Sequence, residues 1–206
     1  LAVAGHRVVG VDVDAAMLER AAAAWERARG AISRSRLELV DADLVTFRSG
    51  ERFGLVFAAV NTFLLVPDDT VRLTVLSTMR GYLRPGGLAV IEMSTPDADE
   101  LAGYDGRLRR EWTRLDTEAG VDVEKRMSAT YAPDERTVML RQVFTWRSPE
   151  GQERVTRTDT LHLISPPELA DLASRAGFTG VEVWGDHLAM PYGAGSHRAI
   201  IVARSL

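Results

Sequence analysis

VVGVDVDAAML, residues 8–18, decides how this chain is to be read. Val8, Val9, Val11 and Val13 make an apolar run of the kind found in parallel strands buried on both faces. Asp12 and Asp14 punctuate its carboxyl end. Asp14 stands where a helix N-cap belongs, ahead of an Ala-, Leu- and Glu-rich stretch that predicts a helix over Ala15–Arg29. Asp12 is left for another task. Ligands of open α/β sheets sit outside the carboxyl ends of the strands. A carboxylate there accepts hydrogen bonds from both hydroxyls of a ribose, and a plain turn-forming acid is the alternative.

Outward from this stretch the same alternation repeats. Residues 1–4 read as a helix end stopped by Gly5. Leu37–Val40 and Phe53–Val60 read as strands, 68–80 as a helix, Arg84-Pro85-Gly86-Gly87 as a tight turn and Leu88–Met93 as a fourth strand. After Pro96 the pattern changes. Residues 98–115 are polar and Arg-rich and predict one helix or two short ones. Three antiparallel strands follow near 121–132, 136–147 and 152–164, separated by Pro- and Gly-containing turns. Pro166-Pro167 opens a helix that ends at Ala176-Gly177, and strands near 180–187 and 197–204 close the chain. The expected class is α/β: a doubly wound, mostly parallel sheet with an antiparallel β insertion before the last helix. Residues 1–96 would form the ligand-binding core, 97–164 the insertion and substrate lid, and 165–206 the completion of the core, in one domain overall.

Composition removes several classes. Among 206 residues there is no Cys, which excludes thiol nucleophiles, disulfides and Cys-held metal sites. The one Lys, Lys125, sits in neither a P-loop nor a Tyr-x-x-x-Lys pair. The net charge of −4 argues against a nucleic-acid partner. The Arg-over-Lys bias points to a GC-rich bacterial genome. With no long apolar run and no visible leader, the expectation is a cytoplasmic protein without a membrane partner. No pair of His has ligand spacing, so no metal site is expected.

A second acidic strand end, VDADL, carries Asp41 and Asp43, the latter 31 residues after Asp12. A carboxylate there can accept from an adenine amino group, and Met17, one turn into the first helix, can lie on the adenine face. In order, VVGVDVDAAML, LVDADLVTF, FGLVFAAVNTFLLV and YLRPGGLAVIEM resemble the half of class I S-adenosylmethionine-dependent methyltransferases that follows their first motif. SPPELADLASRAGF and the late strand pair resemble the end of the same Rossmann-like fold. The resemblance implies S-adenosylmethionine as cofactor and a small-molecule methyl acceptor. It also implies that Asp12, with Val13 beside it, holds the ribose. Asp43 would hold the adenine amino group, flanked by the amides of Ala42 and Leu44. Val60 and Asn61 would line the methionine end. The family's Gly-rich loop, about 20 residues before the ribose acid in dinucleotide-type folds, counts back to before residue 1. On that reading the chain is an N-terminally truncated member that binds cofactor poorly alone.

Methyl transfer from a sulfonium is an in-line displacement in which the protein supplies alignment and desolvation. A base is needed only where the acceptor carries a proton to lose. Catalytic candidates are weak: His162 at the end of the third antiparallel strand, and Asn61. Glu92, inside an apolar strand, must meet a partner or sit at a cleft mouth. Tyr104, Trp112, Met127, Tyr131, Met139, Phe144 and Trp146 offer substrate-facing apolar surface, or simply the sheet's own packing face. Arg107, Arg109, Arg110 and Arg114 read as a solvated helix face interrupted by Glu111, Asp116 and Glu118, with an anionic ligand as the rival meaning. Two further readings of the whole stay open, a catalytically inactive binding module and an NAD(P)-dependent oxidoreductase.

Overall fold

A computed structural model describes residues 1–117 and 119–206, so Glu118 lies outside the described residues. Two compact units make up the chain, Leu1–Arg52 and Phe53–Leu206.

In the first unit, β1 (Val8–Asp12) and β2 (Leu37–Asp41) run parallel, with Val8 opposite Leu37 and Asp12 opposite Asp41. The crossover between them contains α1 (Ala15–Ala28). Asp14 caps this helix as its sequence predicts: its Oδ1 accepts from the amides of Ala16 at 3.0 Å and Met17 at 3.3 Å. Those are two of the four amides a helix start leaves without partners. Trp25 is the buried residue of α1. Residues 2–5 form a turn, not the expected helix end. The Gly5 amide donates to Ala2 at 3.0 Å and Gly5 takes φ +90°, a conformation open to glycine.

The second unit begins with β3 (Phe53–Ala58), α2 (Asp69–Gly81) and β4 (Leu83–Ser94). It continues through a short α3 (Ala98–Ala102) into β5 (Arg109–Asp116), β6 (Val121–Ala132), β7 (Thr137–Ser148) and β8 (Gly151–His162). It closes with α4 (Pro166–Arg175), β9 (Thr179–Trp184) and β10 (Arg198–Arg204). One sheet has the order β3-β4-β10-β9, with β3 parallel to β4 and β10 antiparallel to both its neighbours. Alternate residues of β4, Ala89, Ile91 and Met93, are buried, as are Val75, Leu76 and Met79 of α2 and Leu169, Leu172 and Ala173 of α4. This is the period-2 and period-3.6 pattern of a sheet face covered by helices.

Two expectations are corrected here. Arg84-Pro85-Gly86-Gly87 is drawn into β4 as an irregularity instead of forming a free turn, and the β3–β4 register shifts between Phe53 and Leu55. A Cβ on Gly87 would lie 3.0 Å from the Arg84 carbonyl and 3.2 Å from that of Gly54, so the close backbone approach requires glycine. The larger correction concerns residues 98–115. Only α3 is helical, and the Arg-rich stretch that follows is β5, making the antiparallel sheet four-stranded, β5-β6-β7-β8. Arginine's good helix propensity is overridden by pairing with β6.

Register divides the apolar residues of that sheet. Trp112, Lys125 and Phe144 stand in one cross-strand row, and Met127, Tyr131 and Trp146 share their face. Met139, opposite Thr130 and Thr160, points to the other side and is 48 % exposed, so it does not belong to the aromatic group in which the sequence placed it. Lys125 makes an ion pair with Glu111 at 2.8 Å and lies 5.8 Å from the Phe144 ring centre. No helix among the described residues is long and apolar enough to cross a membrane.

Candidate functional site

At the carboxyl end of the β1–β2 pair the two acidic strand ends meet. The Ala42 amide donates to the Asp12 carbonyl at 3.1 Å, which joins the end of one strand to the residue after the other. Asp12 and Asp43 are both exposed. One carboxylate oxygen of Asp12 accepts from the Asp14 amide at 3.0 Å, and one of Asp43 accepts from the Val45 amide at 2.7 Å. Among the described residues the second oxygen of each carries no hydrogen bond, and neither does the Leu44 amide. The Ala42 amide is engaged by Asp12, so it is not the free donor the sequence suggested. Val13 is 65 % and Met17 44 % exposed beside these acids, which leaves apolar surface next to open acceptors. A nucleoside needs such a set: acceptors for a diol and an amino group, a donor for a ring nitrogen, and an apolar face.

In the second unit the carboxyl end of β3 carries a different feature. Val60 has φ +54° and Asn61 φ +66°, two consecutive non-glycine residues in the left-handed region. A β-branched residue there is an outlier, held only when its surroundings impose it. The surroundings are visible. Asn61 Oδ1 accepts from the Ser94 amide at 2.6 Å and from Ser94 Oγ at 3.0 Å, and the Asn61 amide donates to the Glu92 carbonyl at 3.4 Å. With Oδ1 doubly engaged, the side-chain NH2 of Asn61 keeps both donors unpaired among the described residues.

Glu92 meets a partner, as its position in an apolar strand demanded. Arg198 donates to Oε1 at 2.6 Å, and His187 Nε2 lies 3.4 Å from the same oxygen. Arg198 was not legible as Glu92's neighbour, because the β4–β10 register spans more than a hundred residues, and His187 reaches it from the connection between β9 and β10. His162 ends β8, and its carbonyl accepts from Arg72 Nη2 at 2.6 Å. Its ring has no hydrogen bond among the described residues, so nothing marks it as a primed base. Burial, and then the carboxylates of Glu100 and Asp97, push the Tyr104 hydroxyl above the ordinary tyrosine range. Asp97, Glu100 and His197 cluster within 4.8 Å, all exposed. The two acids already serve each other in the capping box of α3.

Residues 1–87 match a family model described as a methyltransferase domain. Over that span the chain is similar to methyltransferase domains. The chain is 26 % identical over 205 residues to the cypemycin N-terminal methyltransferase of a Streptomyces species, covering 98 % of this chain and 76 % of that one. A methyltransferase from Clostridium acetobutylicum matches its fold with a TM-score of 0.77 at 10 % identity, over 96 % of this chain and 74 % of the other. An S-adenosylmethionine-bound amino pentose methyltransferase from Micromonospora echinaspora matches with a TM-score of 0.66 at 20 % identity, over 98 % and 75 %. The oxidoreductase reading gives way, since the family model that matches residues 1–87 is described as a methyltransferase domain.

Proposed function

We propose that this chain is an S-adenosylmethionine-dependent methyltransferase that transfers the methyl group to an amine nitrogen of a small molecule or peptide terminus. The observation that carries the cofactor half is the pair of half-free carboxylates, Asp12 and Asp43, at adjoining strand ends, with the unpaired Leu44 amide following Asp43. On this reading Asp12 accepts from the ribose hydroxyls, Asp43 from the adenine amino group, and Met17 and Val13 cover the base. In the second unit, Ser94 holds Asn61 through its Oδ1, so that the Asn61 NH2 is presented as a fixed donor. When bound, the cofactor supplies a methyl group already activated on a sulfonium. The chain's residues therefore need only orient the partners and exclude water.

Nitrogen as acceptor is supported by the relatives' names, an N-terminal methyltransferase and an amino pentose methyltransferase. It also fits a rim where Glu92, Asn61 and Ser94 can orient an amine by hydrogen bonding.

Calorimetry with S-adenosylhomocysteine tests the assignment. Losing a charge-assisted hydrogen bond costs about 1.5–3 kcal/mol, so Asp12→Ala should weaken binding about 10- to 100-fold relative to the unsubstituted chain. Equal affinity in the two proteins would reject the ribose role. Tandem mass spectrometry of products from an amine panel then locates the methyl group; transfer to oxygen alone would reject the nitrogen assignment.

A further inference from the structure

The antiparallel sheet has a second face, opposite its aromatic side. Register places Arg110, Arg126, Arg141, Arg147 and Arg154 opposite the Trp112–Phe144 side, and all five are exposed. Against them the same face carries the carboxylates of Asp122 and Glu124. Of the five, only Arg126 has a carboxylate partner among the described residues, Glu124 at 2.7 Å. Arg110 and Arg126 stand directly across an antiparallel pair, where like charges destabilise. The chain as a whole has a net charge of −4, so this is a cationic island on an acidic protein.

We propose that this face docks an acidic polypeptide in extended conformation. Guanidinium groups bind carboxylates through two parallel hydrogen bonds, and Arg110, Arg141, Arg147 and Arg154 have no carboxylate partner among the described residues. β8 is the terminal strand of the sheet, so its outer edge offers backbone donors and acceptors to an added chain, with Arg154 and Arg141 beside it. A single-stranded nucleic acid fits less well. It needs aromatic platforms for its bases, and Trp112, Phe144 and Trp146 lie on the other face.

Fluorescence anisotropy with a labelled alternating Glu-Ser peptide tests this, with a Gln-Ser peptide and an oligouridylate as comparison probes. The Glu-Ser peptide should bind, weaken as salt rises, and lose about tenfold in affinity to the Arg141→Ser/Arg154→Ser double variant. Both positions are exposed, and an unchanged thermal melt establishes that the variant folds. Tighter binding of oligouridylate, equal binding of the Gln-Ser peptide, no binding of the Glu-Ser peptide, or indifference to the double substitution would each overturn the proposal. So would self-association in light scattering that the double variant abolishes, since the occupant would then be a second copy of the chain.

Discussion

Val60 shows how one residue carries the tension between stability and site geometry. Its φ of +54° is strained for a β-branched side chain, which is itself 83 % exposed and gains little from packing. Left-handed backbone of this kind costs about 1–3 kcal/mol, while glycine's extra entropy loss is about 0.5–1 kcal/mol. Strain wins that comparison. Val60→Gly should therefore raise stability by roughly 1 kcal/mol, read from a thermal or urea melt. If the bend exists to position Asn61, the same variant should lower the methyl-transfer rate by loosening it. A stability loss would show that the left-handed turn is not strained in solution.

At the scale of elements, a buried arginine ties α2 to the end of β8. Arg72 is 5 % exposed, donates to the His162 carbonyl at 2.6 Å and meets Asp69 at 3.0 Å. Its Nε has no partner, a penalty the fold accepts in exchange for the bridge. Arg72→Ala leaves that carbonyl without its donor and opens a cavity. We expect a loss of about 2–4 kcal/mol in urea unfolding. A loss below 1 kcal/mol would mean that water replaces the guanidinium. The same scale explains the misread stretch at 98–115. Alternating Trp112 and Arg114 against polar neighbours is a strand pattern, but arginine's helix propensity and the capped start at Asp97 obscure it.

For the molecule as a whole, acid stability has an identifiable contributor. Arg136 holds Glu168 by two hydrogen bonds, of 2.9 and 2.7 Å, and the Ser165 amide adds a third at 2.7 Å. The guanidinium first, then Ser165, draw the Glu168 carboxyl down to about 2 from its ordinary 4.5. A depressed folded pKa contributes stability that is complete above 4.5 and disappears as pH falls toward about 2. Both side chains are about half exposed, so solvent screening keeps the pair's contribution to about 1 kcal/mol or less. Arg136→Ala should flatten the fall in melting temperature across that window and leave the neutral-pH melt little changed. An unaltered acid slope would assign acid unfolding to other carboxylates.

The sequence by itself determined the strand–helix alternation of residues 8–94, the Asp14 cap, the antiparallel insertion and the two acidic strand ends. Each depends on local periodicity or on a side chain bonding its own backbone, and neither requires knowledge of distant partners. Only the tertiary structure decided that the Ala42 amide is engaged by Asp12, that Ser94 fixes the Asn61 amide, and that Glu92 is answered by Arg198 across the β4–β10 register. It likewise decided that Met139 and five arginines face away from the aromatic side of the second sheet. These are facts of strand register, and register is set by long-range pairing in which a one-residue slip would send every side chain to the opposite face.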